Sequence, residues 1–360
     1  MRIAQVTHRY YPNVGGIETY IKEISERMAE DHEIEVITAD FTPTLKTSEI
    51  HNGVKITSFS SIQWKNSVYF SPYIKGYLEE NRFDVIHAHN YHALPALSAS
   101  KSADNNLIFS PHYHGQGSRG LTNVLLRPYW YFGRRIFQKA RKIICDSEYE
   151  KLIIKRDFTI DNSRISVIPL GINLQSIQNT QPFENMNNLV LYVGRLDGYK
   201  NIDLVIRAMQ YLPDFKFYII GKSGNYKKQL LNLIISLKLS DRVKILDNIS
   251  DENKNRWLKT CSLFVNFSDI EAYGITVLEA VAAGKPVIVN NVGGLAELAS
   301  QFTQILPIRR EDYHTNESLK ELASLMKIAS GHEYQPDLKN YDWGEVSKRV
   351  KNEYLLLLEK

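Results

Sequence analysis

Glu271 and Glu279 stand eight positions apart in the stretch EAYGITVLEAVAAGKPVI, residues 271–288. Ile275, Val277, Leu278, Val281 and Ala282 follow Gly274 at helical spacing, and Gly284 with Pro286 closes the run. The first turn of such a helix leaves backbone N–H groups without partners, so Tyr273, Gly274, Ile275 and Thr276 offer a place for an anion. At 1.5 Å per residue Glu279 falls about 6 Å beyond that end, roughly the span from a diphosphate to its ribose. A carboxylate there is suited to accepting two hydroxyl hydrogen bonds from a ribose diol. Glu271, upstream in the loop, lies on the other side of the anion, where the sugar of a nucleotide sugar would sit. A helix-dipole role for Glu271 and a buried, paired role for Glu279 are the plainer readings, but neither explains both residues together.

Two cations belong to the same chemistry. The run LVLYVG leads into RLDGYKN, and Arg195 and Lys200 share one loop after a buried strand. Such a pair suits a diphosphate by charge and by the forked donors of arginine, and equally describes a solvated basic loop. Five of the ten histidines, His87, His89, His92, His112 and His114, fall in one short span. An H-x-H at a strand end also begins some zinc hydrolase sites. No acidic ligand at metal spacing accompanies this one, so no metal is expected, and a metal-dependent hydrolase built on His87–His114 stands as a rival reading.

The elements that must position these residues alternate in type. Strand candidates lie at 2–7, 33–39, 54–59, 84–89, 107–110, 142–147 and 165–169, with helix candidates at about 16–30, 67–80, 92–102 and 121–140. Near-continuous apolar strands separated by helices indicate a parallel sheet covered on both faces. Residues 171–188, rich in Asn, Gln and Ser, carry linker chemistry. A second series follows at 189–194, 215–221, 243–246, 262–267 and 286–290. The expected organisation is an α/β chain with a domain at 1–170, a linker at 171–188 and a second domain at 189–335. A last helix within 336–360 packs back across the domains, opened by Asp342 and Glu345 spaced as a capping box. Two such domains place a cleft between the carboxyl ends of their strands.

Composition narrows the class. The 360 residues are 43% hydrophobic and 23% charged, with a formal net charge of +4. That charge is too mild to suggest a nucleic-acid partner. Cys145 and Cys261 lie in apolar runs and read as buried thiols of a reducing compartment. The sequence enters its first strand at once, without an export signal, and no apolar run approaches a membrane span. The expected location is cytoplasmic.

Glu271 and Glu279 resemble the E-x7-E motif of retaining glycosyltransferases of family 4, which have the GT-B fold of two Rossmann-like domains facing across a cleft. The likeness covers almost the whole chain through GGIE (15–18), SPHYHG (110–115), DSEYEK (146–151), VIPLGI (167–172), GRLDGYKN (194–201) and GKPVIVNNVGG (284–294). It implies that Gly15 and Gly16 let the first-domain loop approach the donor, that Arg195 and Lys200 hold its diphosphate, and that Tyr273, Gly274, Ile275 and Thr276 supply amides. It implies further that Glu279 takes the ribose and that Glu271 and His112 face the transferred sugar; His114, two positions after His112, is a candidate to face the acceptor. Asn201 departs from the glycine many relatives carry. Lys222 and the 246–250 loop are candidates for reading the base, without choosing uracil or guanine.

The reaction implied is hexosyl transfer from a UDP- or GDP-sugar to a hydroxyl of a glycan or lipid-linked acceptor, with retention and without a metal cofactor. A nucleotide-sugar epimerase or a phosphorylase on the same fold remains an alternative. An NAD-dependent dehydrogenase does not fit, because PNVGGIE follows the first strand where G-x-G-x-x-G is needed. Residues 125–142 interleave Tyr, Trp and Phe with Arg127, Arg134, Arg135, Lys139, Arg141 and Lys142. They read either as a helix with a solvated basic face or as a dock on an anionic membrane.

Overall fold

Strands that read as unbroken apolar runs must be covered on both faces, and the chain meets that demand twice. A computed structural model of the chain describes residues 1–13, 15–39, 44–64, 68–115, 120–184, 186–221, 224 and 226–359, the side chains of 63, 64, 68 and 120–129 excepted. It forms two units, Met1–Gly171 with Asn340–Lys360, and Ile172–Lys339.

The first unit holds an eight-stranded sheet in the spatial order Ile165–Val167, Lys142–Cys145, Leu107–Ser110, Val85–His89, Arg2–Thr7, Glu33–Thr38, Val54–Phe59 and Lys46–His51. Every neighbouring pair is parallel except the last. The second unit holds six parallel strands, Val243–Leu246, Lys216–Ile220, Leu189–Val193, Leu263–Asn266, Val287–Asn290 and Ile305–Ile308.

Several elements differ from the sequence reading, each for a local reason. Lys46–His51 is a polar, largely exposed edge strand, and a charged edge lacks the apolar signature of a central strand. Ile305–Ile308 is one edge of the second sheet, where Pro307 is tolerated because one side of the strand needs no N–H. Instead of a helix from 67, Val68–Phe70 pairs with Ile62–Trp64 and the helix begins at Tyr73. Pro72 drives Ser71 away from helical backbone. Within 171–188, Leu174–Asn179 forms a short helix that buries Ile177 and belongs to the second unit. The C-terminal helix Trp343–Leu358 belongs to the first unit, against Gly16–Met28. Its Asp342 caps the Gly344 N–H at 2.8 Å, while Glu345 pairs with Lys348 rather than closing a box.

The middle of the first sheet is polar where its strands end. Gln5, His87, His89 and Ser110 are fully buried. His87 bonds the Tyr354 hydroxyl through Nδ1 at 2.6 Å and Ser110 Oγ through Nε2 at 2.8 Å. Gln5 donates to the same hydroxyl at 3.0 Å and its carbonyl oxygen meets His89 Nε2 at 2.7 Å. This network docks the C-terminal helix by hydrogen bonds rather than by apolar packing alone.

Burial holds His87 and His89 well below the ordinary histidine range. Burial, helped by neighbouring charge, also brings His8 and His92 down to about 4. The unfolded chain protonates these groups near 6.5 and the folded chain resists, so their stability is complete above that pH and is lost as pH falls. The melting temperature should fall steadily from pH 6.5 to about 4, with amide protection lost first in Val85–His89 and the C-terminal helix. Constant stability across that window, or loss confined to the second unit, would contradict the assignment.

Candidate active site

In the second sheet Leu189–Val193 sits between Lys216–Ile220 and Leu263–Asn266, so the strand order reverses at its carboxyl end, where open α/β sheets bind ligands. The two loops leaving that point, 194–201 and 267–274, carry the residues singled out by sequence. Lys200 Nζ lies 2.7 Å from Glu271 Oε2, with the two side chains only 11% and 22% exposed. Asn201 ties the same loops together. Its side-chain amide donates to the Phe267 carbonyl at 2.8 Å and to Asp269 Oδ1 at 2.9 Å, and the Asp269 N–H donates to the Tyr199 carbonyl at 2.9 Å. Asn201 has φ 51°, a left-handed backbone that glycine or asparagine adopts readily. The departure from glycine thus keeps the turn and adds a cross-link. Arg195 stays 66% exposed, its guanidinium donating to the Tyr199 hydroxyl at 2.6 Å.

The helix Ile275–Ala282 starts at Gly274, with φ 102° and no side-chain cap. Val277 and Leu278 donate to the Gly274 carbonyl, so of its leading N–H groups those of Ile275 and Thr276 have no partner within the helix. A Cβ on Gly294 would fall on the Ala272 carbonyl oxygen and the Tyr273 Cα, which shows how closely the loop is pressed there. Glu279 Oε1 meets Lys254 Nζ at 2.6 Å, and its other oxygen, Oε2, is buried without a hydrogen-bond partner. Burial alone would lower the Lys254 pKa, but Glu279 and Asp251 reverse the sign and raise it, so the ammonium stays charged. Lys254, on the helix Asp251–Thr260, escaped the sequence reading because its partner is 25 residues away on another helix.

The first unit carries the remaining candidates. Gly15 and Gly16 open the helix Gly16–Met28, and a Cβ on Gly15 would collide with the Glu18 carboxylate folded back over it. Buried Glu18 in turn lies 3.9 Å from His8 and 3.7 Å from Arg9. It sat within GGIE without a role. His112 has a left-handed backbone, φ 47°, and its Nδ1 lies 2.6 Å from Asp146 Oδ2. Tyr20 of the Gly16–Met28 helix meets its ring edge-on at 5.5 Å. His114 is exposed, edge-on to His92. Among the described residues no group of three or more His, Cys, Asp or Glu is placed to hold a metal ion. Lys222 lies outside the described residues, and in the 246–250 loop Asp247 pairs with Lys227.

Comparison with known proteins decides the class. Residues 14–176 match the family described as Glycosyltransferase Family 4, and residues 175–323 match Glycosyl transferases group 1. The chain is a GT-B glycosyltransferase. An uncharacterised glycosyltransferase of Methanocaldococcus jannaschii is 27% identical to it over 353 residues, covering 96% of this chain and 95% of the relative. A human phosphatidylinositol N-acetylglucosaminyltransferase subunit is 24% identical, covering 98% of this glycosyltransferase and 75% of the human protein. Among solved structures, the sucrose-phosphate synthase of Thermosynechococcus elongatus superposes with a TM-score of 0.76 at 18% identity, over 99% of both chains. An Anabaena protein solved in complex with UDP-glucose gives 0.73 at 18% identity, over 99% of this chain and 100% of the other.

Lys254 and Glu279 test whether the ion pair exists for stability or for binding. Lys254→Met should destabilise the fold by about 3 kcal/mol in denaturant unfolding, because a mostly buried carboxylate loses its counter-ion. Adding Glu279→Gln should restore much of that stability without restoring nucleotide affinity. A double variant no more stable than Lys254→Met would show that the two residues are not paired.

Proposed function

We propose that this glycosyltransferase moves a hexosyl group from a nucleoside diphosphate sugar to a hydroxyl acceptor with retention at the anomeric carbon. The observation that carries the reading is the convergence, at the reversal point of the second sheet, of Lys200, Glu271, an uncapped helix start and a half-paired Glu279. The Anabaena structure in complex with UDP-glucose supports the donor class.

Each group has a task that its surroundings suit. Lys200, held near Glu271 rather than in open water, presents an ammonium charge to the diphosphate, and the helix-start amides at Gly274–Thr276 add donors. Arg195, bonded to Tyr199 and 3.4 Å from Asp197, would exchange those partners for the phosphates. With the leaving group neutralised by these cations and amides, the reaction needs no metal cofactor. Glu279 offers Oε2 to the ribose. Glu271, opposite Lys200, faces the transferred sugar as positive charge gathers on its ring. By the resemblance, Gly15 and Gly16 admit the donor and His112 meets its sugar. The leaving phosphate takes the acceptor's proton.

The two glutamates then fail differently. Glu279→Gln should weaken donor and free nucleoside diphosphate alike, a uniform binding loss. Glu271→Gln should leave nucleoside diphosphate affinity nearly intact while lowering kcat tenfold or more, roughly 1.4 kcal/mol. Calorimetry with steady-state kinetics separates them, and equal loss of nucleotide affinity in both variants would remove the division of labour.

The acceptor we propose is lipid-linked, reached from an anionic membrane surface. Trp130, Tyr131 and Phe132 are exposed on the helix Gly120–Lys139, with the Arg134 and Arg135 guanidinium groups over Trp130 and Tyr131 at 5.7 and 4.9 Å. Aromatic rings beside cations suit a headgroup boundary. The human relative's name includes phosphatidylinositol. Among the described residues no helix is long and apolar enough to cross a membrane. Flotation with phosphatidylserine-containing vesicles should recover the protein, and Trp130→Ala with Arg134→Ala should abolish it. Equal recovery with neutral vesicles would leave a solvated basic helix.

A further inference from the structure

We propose that Asp146 is the positioning residue of His112, fixing the ring so that Nδ1–H points to the carboxylate and the Nε2 lone pair is presented to a hydroxyl of the transferred sugar. The proposal rests on the assignment of His112 to that sugar.

The two side chains are 6% and 3% exposed, joined Nδ1 to Oδ2 at 2.6 Å. A carboxylate only accepts, so this bond requires the proton on Nδ1, and the neutral ring then carries its lone pair on Nε2. His112 Nε2 and Asp146 Oδ1 are both buried without a hydrogen-bond partner. A buried ring nitrogen left unpaired is costly in a finished fold and useful where a ligand completes it.

The pair is held from behind by one further carboxylate. Glu150, fully buried, accepts from the Asp146 N–H at 2.6 Å and from the N–H of Tyr113, the residue after His112, at 2.5 Å. Ser147 Oγ accepts from the Glu150 N–H at 3.0 Å and starts the helix Glu148–Phe158. Two loops leaving adjacent strands, Leu107–Ser110 and Lys142–Cys145, are thus locked at the positions that carry the histidine and its partner. Tyr20 edge-on at 5.5 Å and His89 stacked at 5.9 Å restrict the ring itself. The left-handed backbone at His112 fits this picture, since unfavourable conformations persist where the surroundings over-determine them.

The test combines a tautomer readout with kinetics. Nitrogen-15 shifts of the His112 ring, assigned by their loss in His112→Ala, should show the Nδ1–H form in the unliganded wild type at pH 8. In Asp146→Asn, whose amide can also donate, the Nε2–H form should appear. With whichever nucleotide sugar the wild type turns over from a UDP- and GDP-sugar panel, Asp146→Asn should lower kcat/KM roughly ten- to hundredfold while UDP or GDP affinity stays within about twofold. A wild-type ring already in the Nε2–H form overturns the proposal without any variant. Unchanged kcat/KM in Asp146→Asn beside an inactive His112→Ala also overturns it while sparing the His112 assignment. Full turnover in His112→Ala overturns that assignment and the proposal together.

Discussion

A lysine and a glutamate, Lys200 and Glu271, close a bridge of 2.7 Å between the two loops that leave the second sheet where its strand order reverses. Such a pair, mostly withdrawn from water, adds little net stability, because desolvation of both ions offsets their attraction. Its effect is positional. The cation suited to a leaving diphosphate and the carboxylate suited to a developing positive sugar are held within one hydrogen bond of each other before substrate arrives. On the proposed reading, an incoming diphosphate would give Lys200 a second anion to satisfy and would let Glu271 turn to the sugar.

The backbone around the bridge is built to hold it. Asn201 in left-handed conformation and the Asp269 N–H tie the same loops, and Gly294 lets the next helix press against Ala272 and Tyr273. The first unit repeats the strategy with other residues: Glu150 binds the backbone beside His112 and that of Asp146, and these two side chains bind each other. In both units a carboxylate spans two strand-end loops. Within each unit those crossings set the loop positions before any ligand binds.

The central strands of both sheets were legible because a parallel strand covered on both faces must be continuously apolar, as LVLYV and RIAQVT are. Of their four edge strands, Ile165–Val167 and Val243–Leu246 were legible as apolar runs, but two were not: KTSEIH is polar and ILPI contains proline, both permitted because an edge has one free side. The site divides likewise. Glu271, Glu279 and the helix start share one local stretch, so spacing alone brought them together. Lys254 and Asp146 gain their roles from partners 25 and 34 residues away, on separate elements, and no local pattern carries that information. Glu150, three residues after the N-cap Ser147, likewise bonds beyond its own helix, to the Tyr113 N–H on another loop.

Hydrogen–deuterium exchange on the intact chain, with and without saturating nucleoside diphosphate, tests the account at its centre. UDP or GDP should slow exchange in residues 194–201 and at the amides of Tyr273–Thr276, and Lys200→Ala should remove most of that protection at the same ligand concentration. Binding that protects neither loop, or protection unchanged in Lys200→Ala, would show that the diphosphate does not sit at the reversal point of the second sheet.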